Sequence, residues 1–221
     1  MSASAPRIKL CGITRLDDAR AAVEAGAWAV GVIFWPGSER HVGREEAAAI
    51  GAALRRRAEV CGVFVNATLD HVAEVADEAG LTMIQLHGDE GPAYCSEVAR
   101  RTGCRVVKAV QVRSGADVRA LRSFPTDYHL LDAWAPGRRG GVGAPFPWEL
   151  ARSHSGAAPV ILSGGLRPEN VAAAIAAARP WAVDVSSGVE SAPGIKDRMR
   201  IAAFAEAVAA TAAPVAPDAV A

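Results

Sequence analysis

No run of apolar residues in this 221-residue chain approaches the ~20 needed to cross a bilayer, although 51% of its residues are hydrophobic. A membrane protein is therefore not expected. The first residues, Met1-Ser2-Ala3-Ser4-Ala5-Pro6-Arg7, lack the apolar stretch of a secretory signal. Net charge is missing too: 24 Lys and Arg balance 24 Asp and Glu. With no basic excess, nucleic acid is not expected as a partner. The four cysteines, Cys11, Cys61, Cys95 and Cys104, include no pair at the two-residue spacing of metal sites. No grouping of His, Cys and Asp has zinc-ligand spacing either, so no metal is expected. The thiols read as reduced and the compartment as cytoplasmic.

What is there is alternation. Short Val-, Ile- and Leu-rich runs recur at 8–13, 28–34, 60–65, 83–87, 106–112, 128–134, 160–163 and 182–186. Helical patterns fall between them at 16–25, 44–57, 69–79, 93–101, 116–123 and 168–178, with a last one at 196–209. After the sixth run only 146–153 supports a turn or two. Strand and helix in strict alternation argue for parallel strands with crossover helices. Eight such units are the count of a small single-domain (β/α)8 barrel, the TIM-barrel architecture. The rival is an open doubly wound sheet. It would want a G-x-G-x-x-G turn after the first strand, and Cys11-Gly12-Ile13-Thr14 does not supply one. The expected organisation is an N-terminal extension over 1–7, the barrel over 8–210, and a disordered Ala/Pro/Val-rich tail over 211–221.

In such a barrel, activity belongs at the C-terminal ends of the strands. Those ends carry Cys11, the loop from Phe34 to Arg40, His87, Asp132, Ser163-Gly164-Gly165 and Asp184-Val185-Ser186-Ser187-Gly188. Alternation along the first strand puts Lys9 and Cys11 on one face. Cys11 is then either a small core residue or a thiol with a task. Asp132 ends an otherwise apolar strand. It is either a general acid whose pKa burial raises, or a helix cap or partner for an interior lysine such as Lys9 or Lys108. Asp184 offers the same choice, with the structural role favoured, and a lone histidine such as His87 is more often a satisfied hydrogen-bonding group. The small residues at the seventh and eighth ends suit a phosphate, because backbone N–H groups can approach an anion there. Ordinary tight turns use glycines equally well.

Several segments in order resemble the phosphoribosylanthranilate isomerase family. They are Lys9-Leu10-Cys11-Gly12-Ile13-Thr14, Gly31-Val32-Ile33-Phe34 with Ser38-Glu39-Arg40-His41-Val42, Gln85-Leu86-His87-Gly88, and Leu130-Leu131-Asp132. Ser163-Gly164-Gly165-Leu166 with Pro168-Glu169-Asn170-Val171, Asp184-Val185-Ser186-Ser187-Gly188-Val189-Glu190 and Pro193-Gly194-Ile195-Lys196-Asp197 continue the series. The resemblance implies an Amadori rearrangement of N-(5-phosphoribosyl)anthranilate to the 1-deoxyribulose 5-phosphate derivative, a step of tryptophan synthesis. It implies Asp132 as general acid and Cys11 as general base, the thiol being poised near neutrality by a neighbouring lysine or the bound imine cation. Arg40 would pair with the anthranilate carboxylate. His87 and Asp184 would also contact the substrate, and Gly164, Gly165, Ser186, Ser187 and Gly188 would hold its phosphate. No cofactor is implied, and the chain would act as a monomer or homodimer.

The chain departs from the family pattern at Glu39, where a proline is usual, and at Val142 and Pro147, where threonine and aspartate are usual. The related isomerases that serve two pathways need a second glycine-rich phosphate cradle, and Val65-Asn66-Ala67-Thr68 has no glycine. A non-enzymatic descendant of the family would have no need of both Cys11 and Asp132.

Overall fold

Eight apolar runs become the parallel strands of a closed barrel, ordered as in the sequence. They are β1 (Arg7–Leu10), β2 (Ala29–Ile33), β3 (Glu59–Phe64), β4 (Met83–Leu86), β5 (Arg105–Val112), β6 (Tyr128–Ala133), β7 (Val160–Leu162) and β8 (Ala182–Val185). Strands covered on both faces need near-continuous aliphatic sequence, which is how they read. The structure, a computed structural model, describes residues 4–133 and 146–212. The outer layer holds α1 (Leu16–Glu24), α2 (Arg44–Leu54), α3 (Leu69–Glu78), α4 (Pro92–Thr102), α5 (Gly115–Ala120), α6 (Val171–Ala178) and α7 (Arg198–Ala209). In the sixth unit a short 3₁₀ helix, Trp148–Ser153, takes the helix's place. The expected (β/α)8 barrel is the fold observed.

Alternation along the strands sorts the side chains into two cores. Cys61, Met83, Val107, Leu130 and Ile161 fill the inside of the barrel. Leu10, Val30, Val60 and Ile84 face the helices. At the N-terminal end, Trp28 meets Trp181 edge-on with ring centroids 4.9 Å apart, and Tyr128 stacks on Trp181 at 5.0 Å. The Arg7 guanidinium lies 4.8 Å from the Trp181 ring, a cation–π contact that closes the floor. Lys9 is fully buried inside, and its Nζ donates to Asp184 Oδ1 at 2.9 Å. The two residues are also register partners across the β1–β8 seam. Removing either one would leave an uncompensated charge, at a cost of about 3–5 kcal/mol.

The ladders stop one to three residues short of several expected strand ends, so Cys11, Phe34, Val65 and His87 follow their strands rather than belong to them. Helix α6 starts at Val171 and not at Pro168. Asn170 explains the delay: its Oδ1 accepts from the Arg167 N–H at 2.9 Å and its Nδ2 donates to the Gly165 carbonyl at 2.9 Å. That side chain makes a turn of 165–170. A hairpin, β9 (Glu190–Ala192) and β10 (Ile195–Lys196), stands where the last helix was expected to begin. Helix α7 starts two residues later, capped by Asp197, which accepts from the N–H groups of Met199 and Arg200. The tail expected over 211–221 lies, from 213 onward, outside the described residues, as does Val142.

Candidate active site

Inward positions at the strand ends meet in one cavity of about 80 Å³, lined by residues that include Cys11, Trp35, Arg40, Gln85, His87, Asp132, Ser163, Asp184 and Ser186. A wider hollow of about 670 Å³ lies at the opposite face of the barrel, among the C-terminal ends of α2 and α3. None of the expected site residues lines it.

Cys11 is buried, and its N–H donates to the Val185 carbonyl at 2.8 Å, so the β1–β8 seam fixes it. Gly31 on β2 makes room for it: a Cβ there would stand 2.7 Å from Cys11 Sγ. Burial pushes the thiol above its usual pKa, against the pull of Lys9 and, more weakly, Lys196. The expectation that a neighbouring lysine holds this thiol near neutrality is therefore not met in the free protein, because desolvation outweighs the lysine. For Lys9 itself, burial favours the neutral form, but Asp184 and the neighbouring thiols outweigh it and the pKa is raised.

Asp132 projects from the end of β6, three strands around the ring from β1. Its Oδ1 accepts from the Ala133 N–H at 2.9 Å, and its Oδ2 lies 3.3 Å from His87 Nε2. That second contact has the distance of an ion pair but not the alignment of a hydrogen bond. His87 Nδ1 in turn meets Gln85 Nε2 at 3.1 Å. Asp184 is shared between Lys9 and the Ser163 hydroxyl, which donates to Oδ2 at 3.3 Å. Four buried polar atoms find no hydrogen-bond partner among the described residues; three of them, Gln85 Oε1, His87 Nε2 and Ser186 Oγ, belong to residues lining this cavity, and the fourth, Trp148 Nε1, lies outside it. Buried polar groups are normally paired, so three orphans around one cavity mark a place for a polar ligand.

Arg40 is only 13% exposed and grips Glu190 with both ends of one edge, Nε to Oε1 at 2.8 Å and Nη2 to Oε2 at 2.7 Å. Lys196 Nζ donates to the same Oε1 at 2.7 Å and to the Ser186 carbonyl at 3.1 Å. Burial alone would raise the Glu190 pKa, but Arg40 and Lys196 more than offset it and the carboxyl titrates below its usual range. Lys196 is also lowered, by burial first. Both values fall, but the shift favours the charged form of Glu190, which answers to two cations, and the neutral form of Lys196, which is buried and shares one carboxylate with Arg40. The neighbouring Glu39 is exposed and reaches Arg40 only through space.

The residues expected to hold phosphate divide between two places. Gly165, Ser187 and Gly188 line a separate hollow of about 390 Å³ together with Arg167 and Arg200. Gly188 brings the two late loops together, since a Cβ there would overlap the Leu166 carbonyl oxygen. Ser186 faces the inner cavity instead, and Gly164 lines neither, packing on Ala133. A one-turn 3₁₀ helix at Ser187–Val189 sits at this hollow. Sequence reasoning gave no role to Gln85, Glu190, Lys196 or Arg200. Only Gln85 carried a usable signal, its inward parity with His87. No group of three or more His, Cys, Asp or Glu among the described residues is placed to hold a metal ion, and no described helix is long and apolar enough to cross a membrane.

The family model described as N-(5'phosphoribosyl)anthranilate (PRA) isomerase matches residues 8–207. The N-(5'-phosphoribosyl)anthranilate isomerase of Geobacter sp. (strain M21) is 48% identical over 198 residues, covering 90% of this chain and 95% of the relative. The crystal structure of the Thermus thermophilus isomerase superposes with a TM-score of 0.84 at 38% identity, over 92% of this chain and 98% of that one. A phosphoribosylanthranilate isomerase solved with reduced 1-(o-carboxyphenylamino)-1-deoxyribulose 5-phosphate gives a TM-score of 0.79 at 40% identity, with the same coverage.

Proposed function

The chain belongs to the N-(5'-phosphoribosyl)anthranilate isomerase family, and we propose that Asp132 and Cys11 are the acid and base of that reaction here. The enzyme is an aldose–ketose isomerase of tryptophan biosynthesis. The observation that carries the assignment of roles is that Asp132 and Cys11 line a single cavity from strands set apart around the barrel mouth, while the other carboxylate there, Asp184, is tied to Lys9.

As general acid, Asp132 gives a proton to the ribose ring oxygen as the bond from that oxygen to C1 breaks. The amine nitrogen supplies the electron pair and becomes an iminium. Cys11 then removes the proton from C2, and the electrons of that bond neutralise the iminium to give an enolamine. Loss of the C2 hydroxyl proton and protonation at C1 complete the ketone, with no net gain or loss of atoms. Positive charge on the iminium favours the thiolate just when a base is needed, adding to Lys9 and Lys196 against the burial that keeps the resting thiol protonated. The nitrogen of the substrate is the electron sink.

Trp35 and Arg40 come from one loop and line the same cavity. One offers a face to the anthranilate ring and the other a fork to its carboxylate. The hollow holding Gly165, Ser187, Gly188 and Arg200 suits the phosphate. His87, Ser186 and Asp184 contact the sugar between them. The chain acts as a monomer or a homodimer, working in the cytoplasm. Freshly formed phosphoribosylanthranilate, followed by loss of its fluorescence, tests the roles. Cys11→Ala and Asp132→Asn should each lower kcat by ~10²–10⁴-fold with an unchanged circular dichroism spectrum. Wild-type kcat in folded Cys11→Ala would remove the thiol as base.

A further inference from the structure

Arg40 offers five N–H groups, and Glu190 takes two of them, Nε–H and one on Nη2. The edge formed by Nη1 and the second Nη2 proton has no acceptor among the described residues, and Arg40 lines the cavity that holds Cys11 and Asp132. A guanidinium on a flexible stem loses much rotamer freedom on binding, and holding it in advance reduces that loss. Glu190 is itself held from three sides. Lys196 Nζ lies on Oε1, Arg200 Nη1 donates to the Glu190 carbonyl at 2.8 Å, and the β9–β10 hairpin fixes the backbone.

We propose that Glu190 is a positioning residue that grips the inner edge of Arg40 so that its outer edge meets the substrate carboxylate. This rests on the reading that Arg40 binds that carboxylate. Glu190 then acts on recognition of the aromatic acid and not on proton transfer. The opposite role, a carboxylate that competes with the substrate for Arg40, predicts the opposite sign.

The test compares phosphoribosylanthranilate with N-(5-phosphoribosyl)aniline, which has the same reacting atoms and no carboxylate; product is followed by chromatography. Glu190→Gln keeps the size of the side chain but turns an N–H₂ toward a donor. It should lower kcat/KM for the carboxylated substrate by about tenfold to a hundredfold, mostly through KM, and leave the aniline substrate within about twofold. Combining it with Arg40→Ala should add little to Arg40→Ala alone, as expected for two residues acting through one contact. Should Glu190→Gln fail to fold, Glu190→Asp, which keeps the charge and draws the fork back by one methylene, should give a smaller loss with the same substrate selectivity. An equal loss on both substrates would show a structural role only, and improved binding of the carboxylated substrate would show competition; either overturns the proposal. Arg40→Ala is read separately: if it does not weaken the preference for the carboxylated substrate, the carboxylate is bound elsewhere and the underlying reading fails with it.

Discussion

Replacing His129 by glutamine should flatten the dependence of stability on pH between neutrality and pH 5. His129 is 1% exposed on β6, three residues before Asp132, and its Nδ1 lies 2.7 Å from Nε2 of His154. A carbonyl can only accept, so the long 3.4 Å contact from His129 Nε2 to the Phe124 carbonyl makes Nε2 the protonated nitrogen. His129 Nδ1 is then the acceptor and His154 the donor, and both rings are neutral. Burial, reinforced by the nearby His154, lowers the His129 pKa to about 4, although the Phe124 carbonyl opposes the shift. Burial also lowers His154. In the unfolded chain a histidine titrates near 6.5, so the unfolded state takes up a proton first as the pH falls. The stability contributed by the neutral ring is complete above pH 6.5 and is lost progressively toward pH 4. The whole gap is worth about 3 kcal/mol, of which about 2 kcal/mol is gone by pH 5. That is a sizeable part of the ~5–15 kcal/mol that holds a domain folded. Urea unfolding of the wild type and His129→Gln at pH 7 and pH 5 reads the difference directly, in a window above most carboxylate titrations. The wild type should lose about 2 kcal/mol more than the variant across that interval. Equal losses would show that His129 is protonated in the folded barrel at pH 5.

Because burial raises the Cys11 thiol, kcat/KM, which reports the free enzyme, should still be rising above the ordinary thiol value of about 8.5. A plateau already reached by pH 7 would mean that the resting thiol is ionised. Gly188→Ala should raise KM at least tenfold, an estimate of about 1.4 kcal/mol, with kcat largely kept, because the added methyl forces the Leu166 carbonyl and the Ser187 loop apart. Inorganic phosphate should also inhibit the variant less than the wild type, and an unchanged inhibition constant would place the phosphate away from this hollow.

Much of the barrel was legible because its strands are buried on both faces and therefore written in Val, Ile and Leu, with turn residues between. The parity of β1 was enough to put Lys9 and Cys11 on one face, and the strand-end rule gathered Cys11, His87, Asp132 and Asp184, which share the observed cavity. What escaped depends on contacts without a sequence period. Arg40 and Glu190 are 150 residues apart, and no spacing connects them. The hairpin strands are three and two residues long, too short to show alternation. Pro168 looks like a helix start until Asn170 is seen to capture the Arg167 N–H. The upward push of burial on the free thiol was not legible, because a lysine neighbour is visible in a sequence and the depth of burial is not.

The Lys9–Asp184 pair joins residues separated by 175 positions, on the first and last strands of the ring. Until β8 is made and docked, the ammonium on β1 has no matching carboxylate inside the barrel, and every partial assembly must leave it in water or bury it alone. A ring closed one residue out of register would swing Lys9 to the helix side and Asp184 away from it. The seam thus rewards completion: the first strand buries its ammonium together with its carboxylate partner only when the last strand is set in register.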